Sequence, residues 1–178
     1  MHDLKTQEMT FTQTLGNRSG KHYIKVKEIA QNPKGDFYAV CYIDDGKFWL
    51  NTFTKSEKID EVCFNEMLGL DDFTVPNESF NDPFLTCCFL NDTKIFVTLF
   101  YNFKQLHHHF IWDLNTREHE QLVVKQMECN STNFPQKCFY NEDAHEIYVF
   151  YRQGQCFTIN ARKLDCYRLE KISDRDLG

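Results

Sequence analysis

Three consecutive histidines, His107-His108-His109, are the densest group of chemistry-bearing side chains in the sequence. In a strand, His107 and His109 share one face and could turn two imidazole nitrogens toward one metal ion. His119 lies across the following hairpin and is the candidate third ligand, three being the usual protein set of a catalytic zinc. No His-x-x-x-His or His-Glu-x-x-His helix motif accompanies them, so no metal is expected. The alternative is a polar strand start whose imidazoles are exposed and contact a partner. Acidic pairs occur at Asp44-Asp45, Asp71-Asp72 and Glu142-Asp143. Paired carboxylates serve acid–base chemistry only when held at a set separation in a cleft, whereas these sit at turns and read as solvated.

The remaining reactive residues point the same way. The eight cysteines form no Cys-x-x-Cys pair, and they read as buried thiols rather than a disulfide framework. There is no Gly-x-Ser-x-Gly nucleophile elbow, and Gly16-Asn17-Arg18-Ser19-Gly20 is a flexible turn rather than a phosphate loop. No catalytic residue and no cofactor are expected, and the chain does not read as an enzyme.

The 178 residues carry a formal charge of -6, which argues against broad phosphate-backbone binding; no nucleic-acid partner is expected. The lysines of Lys21 to Lys27 alternate with apolar residues and read as the solvent face of a strand. No run approaches the roughly 20 apolar residues of a membrane helix, so no membrane partner is expected. The polar first ten residues hold no apolar h-region, which points to the cytoplasm, with the nucleus as the alternative.

These residues must be positioned by strands. Aromatics make up 15% of the chain, mostly 17 Phe and 8 Tyr, types that strands favour. The apolar runs are short and bounded by Asn, Asp, Gly or Lys. Strands are expected at Tyr23 to Ile29, Asp36 to Ile43, Lys47 to Phe53 and Lys58 to Cys63. A second group falls at Phe84 to Leu90, Lys94 to Phe100, His108 to Leu114 and Glu120 to Val124. A third falls at Gln136 to Tyr140, Glu146 to Tyr151, Gln155 to Ile159 and Asp165 to Leu169. One helical turn is expected within Asp60 to Leu70, leading into a turn-rich insertion over 64–83.

The three groups repeat one another. Lys47-Phe48-Trp49-Leu50-Asn51-Thr52 resembles Phe110-Ile111-Trp112-Asp113-Leu114-Asn115-Thr116 and Cys156-Phe157-Thr158-Ile159-Asn160-Ala161. This alignment makes Asn51, Asn115 and Asn160 equivalent at the exit of the third strand. It also pairs Trp49 with Trp112 as core residues. Cys88-Phe89-Leu90-Asn91 matches Cys138-Phe139-Tyr140-Asn141, and Asn32 marks the same turn in the first group. Four antiparallel strands in about 45 residues is the period of a propeller blade.

At these residues the chain resembles the kelch and WD β-propeller repeat families. Cys138 to Lys171 is similar to a kelch unit, and Trp112-Asp113 is similar to the WD dipeptide. The chain lacks the kelch double glycine and the WD Gly-His. The resemblance implies an all-β fold of about three four-stranded antiparallel propeller-like blades, at about 22–63, 84–124 and 134–170. These lie within a repeat domain over 22–172, between an N-terminal segment 1–21 and a tail 173–178. It implies a non-enzymatic scaffold for protein–protein interaction. Three blades are too few for a closed ring of four to eight, so a protein partner or self-association is expected to cover the open blade faces. Loop residues Phe103, Asp71, Asp72 and Phe73, with His107 and His109, are the candidate contacts. The alternative architecture is a single lipocalin-like β-barrel around a small apolar ligand.

Overall fold

The computed structural model describes residues 24–70, 84–101, 106–122, 134–162 and 167–171. Within them the chain forms three separate four-stranded antiparallel sheets, each a simple meander. The first blade holds β1 (Lys25–Gln31), β2 (Tyr38–Asp44), β3 (Lys47–Phe53) and β4 (Lys58–Cys63), followed by the short helix α1 (Phe64–Leu68). The second holds β5 (Phe84–Phe89), β6 (Lys94–Tyr101), β7 (Leu106–Asp113) and β8 (Glu118–Leu122). The third holds β9 (Pro135–Asn141), β10 (Glu146–Tyr151), β11 (Gln155–Asn160) and β12 (Tyr167–Lys171). Every expected strand is present. The sheets stay separate and do not close on one another, which overturns the single-barrel alternative.

The first strands of the three blades, β1, β5 and β9, lie side by side as a hub. Successive residues of a strand point to opposite faces, so each blade has a rear face and a front face. The front of the first blade packs on the rear of the second, joining Phe48, Leu50 and Val62 to Ile95, Val97 and Phe110. Phe64 of α1 closes the outer end of this seam, stacked on Phe110 at 5.5 Å between ring centroids. The front of the second blade packs on the rear of the third, joining Phe96, Ile111 and Leu122 to Ile147, Val149 and Phe157. The middle blade is thus covered on both faces. That is why the β6 run Ile95-Phe96-Val97-Thr98-Leu99-Phe100 is apolar almost throughout and wholly buried.

Turn chemistry sets the registers. Asp45 and Gly46 both have positive φ, 46° and 74°, the two-residue turn whose twist matches an antiparallel hairpin. Each turn between first and second strands is organised by an asparagine side chain. Asn32 Oδ1 accepts from the Asp36 and Phe37 amides, Asn91 Oδ1 from those of Thr93 and Lys94, and Asn141 Oδ1 from that of Ala144. All three asparagines therefore organise their turns, but by register Asn32 and Asn141 correspond to Leu90, so the expected match of Cys88-Phe89-Leu90-Asn91 with Cys138-Phe139-Tyr140-Asn141 is one residue out of phase.

The Leu-Asn-Thr phrase has a different phase from the structural repeat. Phe53 lies opposite Tyr38, Trp112 opposite Ile95, and Ile159 opposite Ile147, so these three are equivalent. The next residue in each blade accepts a hydrogen bond from the amide two positions on. Thr54 does so from Ser56 at 3.2 Å, Asp113 from Asn115 at 2.9 Å, and Asn160 from Arg162 at 3.0 Å. The strand-exit position is thus Thr54, Asp113 and Asn160. Asn51 is buried in mid-strand, and Asn115 is exposed in the turn. Trp49 and Trp112 consequently occupy opposite ends of their strands. Trp112 is buried in the first seam, whereas Trp49 is half-buried on the rear face of the first blade, stacked on Tyr42 at 6.3 Å.

Candidate interaction surface

The strand β7 places His107 and His109 on the front face of the second blade, as period-2 alternation requires. Their rings lie 4.2 Å apart between centroids. Both face the second seam rather than solvent. His107 Nε2 is hydrogen-bonded to Thr98 Oγ1 and to Tyr151 Oη of the third blade, each at 3.3 Å. His109 is 1% exposed and stacked on Phe96 at 5.6 Å. Burial, with a smaller contribution from neighbouring His108, lowers the His107 pKa to about 3. Burial and the two neighbouring histidines push His109 well down as well. Both imidazoles are neutral seam groups, which sets their side chains apart from a surface contact. His119 lies opposite Trp112 and stacks on it at 6.1 Å, on the rear face of the same sheet. A β-sheet separates it from the other two, so the three-histidine set does not come together. Among the described residues no group of three metal-ligating side chains is placed around one point.

The candidate contacts Asp71, Asp72, Phe73 and Phe103 lie outside the described residues. Of the cysteines, Cys41, Cys63, Cys87, Cys88, Cys138 and Cys156 are buried and unbridged. A hydrogen bond to Cys41, reinforced by burial, holds the Cys87 thiol well above its usual pKa. Cys138 and burial do the same to Cys88. Such thiols stay protonated and are poor nucleophiles.

The hub holds a polar chain that nothing local in the sequence announces. Glu28 lies opposite Cys41, Thr86 opposite Thr98, and Lys137 opposite Phe150, which makes the three equivalent positions of β1, β5 and β9. Lys137 Nζ donates to both Glu28 carboxylate oxygens at 2.7 and 2.8 Å, and Thr86 Oγ1 donates to Glu28 at 3.1 Å. The Glu28 carboxylate raises the Lys137 pKa through that hydrogen bond. Beside it, a bulge between Val26 and Glu28 leaves Lys27 out of the ladder. The bulge reverses the expected alternation: Val26 is 46% exposed, while Lys27 is half-buried with its ammonium 5.2 Å from the Phe84 ring centroid. Burial, then the nearby Lys25 charge, lowers the Lys27 pKa to about 8.

The third blade presents the surface that reasoning from sequence missed. On its front face Phe139 stacks on Tyr148 at 5.0 Å and on Phe150 at 5.4 Å, all rings within 18° of parallel. No described blade covers this face. Phe139 is 44% exposed, yet its equivalents by register are Cys88, buried in the second seam, and Ala30, packed against the first. The aromatic content was visible in the sequence. Both faces of a stacked blade are apolar, however, so alternation gives no sign of which face lacks a neighbour.

The sequence matches no family model, and no curated protein resembles it at a significant level. Solved structures do match it in fold. The Cps50 (Swd1) β-propeller domain of Myceliophteria thermophila superposes with a TM-score of 0.52 at 13% identity, covering 83% of this chain and 42% of that one. The extracellular domain of the putative one component system BT4673 from B. thetaiotaomicron gives a TM-score of 0.53 at 12% identity, covering 84% of this chain and 17% of that one. The chain therefore spans less than half the length of either structure. At such identities the likeness is one of fold, and the three four-stranded sheets are propeller-like blades.

Proposed function

We propose that the chain is a non-enzymatic protein-interaction module of the cytoplasm or nucleus, acting through the open faces of its outer blades. The supporting observation is the ladder of exposed Phe139 with half-buried Tyr148 and Phe150, on a face whose counterparts in the other two blades pack into seams. Large stacked aromatics supply contact area at low conformational cost and are enriched at recognition surfaces. The buried neutral histidines and protonated thiols serve to join blades. The test is affinity capture from a native extract with the wild-type chain and with Phe139→Asp. A protein retained in stoichiometric amount by the wild type and lost with Phe139→Asp supports the reading. Identical capture by both chains overturns it.

A further inference from the structure

Among the described residues only three large apolar side chains are exposed: Val26 at 46%, Ile29 at 62% and Phe139 at 44%. Their placement is not random. All three lie on hub strands, two on β1 and one on β9, and they belong to the two faces that no blade covers among the described residues. By register Ile29, opposite Val40, is equivalent to Cys87 and Cys138. Val26, opposite Tyr42, is equivalent to Leu85 and Pro135. Those four counterparts are all buried. Leu85, Cys87 and Cys138 among them are packed in the two existing seams. Phe139 is likewise the front-face counterpart of Cys88 and Ala30. Among the described residues, the front face of the third blade and the β1 strip of the first blade are thus the front-type and rear-type surfaces left without a counterpart. On the first blade the middle-strand residues of the rear face, Tyr42 and Phe53, are already buried. The accessible half there is the β1 strip of Val26 and Ile29.

From this we infer that the occupant of the open faces is a second copy of the same chain, joined head to tail, with the β1 strip of one copy on the Phe139 ladder of the other. This rests on the interaction reading above and names its partner. The contact continues the interface already present twice within the chain, front face against rear face along the hub strands. A contact between two different patches closes into a ring only when its rotation permits. Two copies carry six of the described blades, within the four to eight of closed propellers, and each copy uses both of its strips. Closure then leaves no blade face of either hub strand in water.

The test is the mass of the full chain by size-exclusion chromatography with light scattering. The wild type is expected at twice the chain mass of 21.3 kDa. Ile29→Asp and Phe139→Asp, both at exposed positions, are each expected at the single-chain mass with the circular dichroism of the wild type. Mixing these two variants provides the sharper measurement. The Phe139→Asp copy keeps an intact β1 strip and the Ile29→Asp copy keeps an intact ladder, so one seam is restored and the mixture regains the double mass. A face pairing with its own copy would not need the mixture, because one of the two variants would dimerise alone. The inference is overturned by a wild-type monomer, by dimerisation of either variant alone, or by a mixture that stays monomeric. In each of these cases the interaction reading still stands if Phe139-dependent capture of a different protein is found, and falls if it is not.

Discussion

The front faces of the second and third blades each carry aromatic side chains at their centre and meet different fates. Phe96 and Tyr148 are equivalent by register, as are Thr98 and Phe150. In the second blade these positions are fully buried against the third blade, and in the third blade they are half-buried. The difference lies in whether a neighbour follows. An apolar residue stabilises a blade to the extent that another blade removes it from water, at about 25 cal/mol per Å² of apolar surface. Phe139, exposed on the front face of the third blade, therefore contributes less to the folded chain than it would if buried as its counterpart Cys88 is, and it is accessible to association.

The largest effect should separate these two faces directly. Phe96→Ala opens a cavity in a closed seam and should cost about 3–5 kcal/mol, the usual range for a buried phenylalanine. Phe139→Ala, measured at dilutions where the chain is single, should fall within about 1 kcal/mol of wild type, as exposed substitutions do. Urea midpoints with unchanged slopes give both values. Equal costs at the two positions would mean that the third blade's front face is covered within the chain itself, and the contrast would collapse.

The second effect probes the closed seam by pH. His107 and His109 have folded pKa values below the ordinary 6.5, so the unfolded chain takes up protons first. Their contribution is whole above about pH 6.5 and is lost as the pH falls below it, for His107 down to about 3, by up to about 1.4 kcal/mol per pH unit for each histidine. The pair His107→Gln with His109→Phe should flatten this acid limb even if it lowers stability at pH 7. An acid limb as steep as that of the wild type would show that the two imidazoles are not held neutral in the seam.

The strands were legible because each is a short β-branched or aromatic run closed by Asn, Asp, Gly or Lys. β3, β4 and β10 fall at the expected residues. The turns at Asn32, Asn91 and Asn141 were also legible, since the side chain that marks each turn organises it, although Asn91 stands one residue later in its blade than the other two. The phase of the Leu-Asn-Thr phrase was not. A strand-exit cap can be Thr54, Asp113 or Asn160 with equal chemistry, so the identity of one residue type misled where the shared hydrogen bond did not. The bulge at Lys27 left no mark either, because a strand with one extra residue reads like a strand without it. The histidine face-sharing followed from alternation. Their burial did not, because it depends on Tyr151, which approaches from the next blade. Glu28 and Lys137 are separated by 109 residues, and no local pattern can pair them.

Two smaller effects concern the hub. Lys27 has a folded pKa of about 8 against an ordinary 10.5, so the unfolded chain holds its proton more tightly. The wild type loses stability as the pH falls from about 10.5 to 8 and carries the whole penalty at pH 7. Lys27→Met keeps the apolar stem over Phe84 and removes the charge. It should be more stable than wild type at pH 7, with an advantage that shrinks at pH 10. An advantage independent of pH would assign the gain to packing rather than to the buried ammonium.

The smallest effect should come from the ion pair that links the outer blades. Glu28→Gln keeps an acceptor for Thr86 Oγ1 and removes the charge facing Lys137. Lys137 is largely exposed, at 59% of its side chain, so the pair is screened and should be worth no more than about 1 kcal/mol, declining as salt is raised. A double-mutant cycle with Lys137→Met isolates the coupling from the Thr86 hydrogen bond. The pair joins β1 to β9, the two strands whose apolar strips remain exposed. Its rupture should therefore change how those strips are presented more than it changes stability. A coupling of several kcal/mol would instead make the hub bridge a main support of the fold, and the outer blades would owe their placement to it as much as to the two apolar seams.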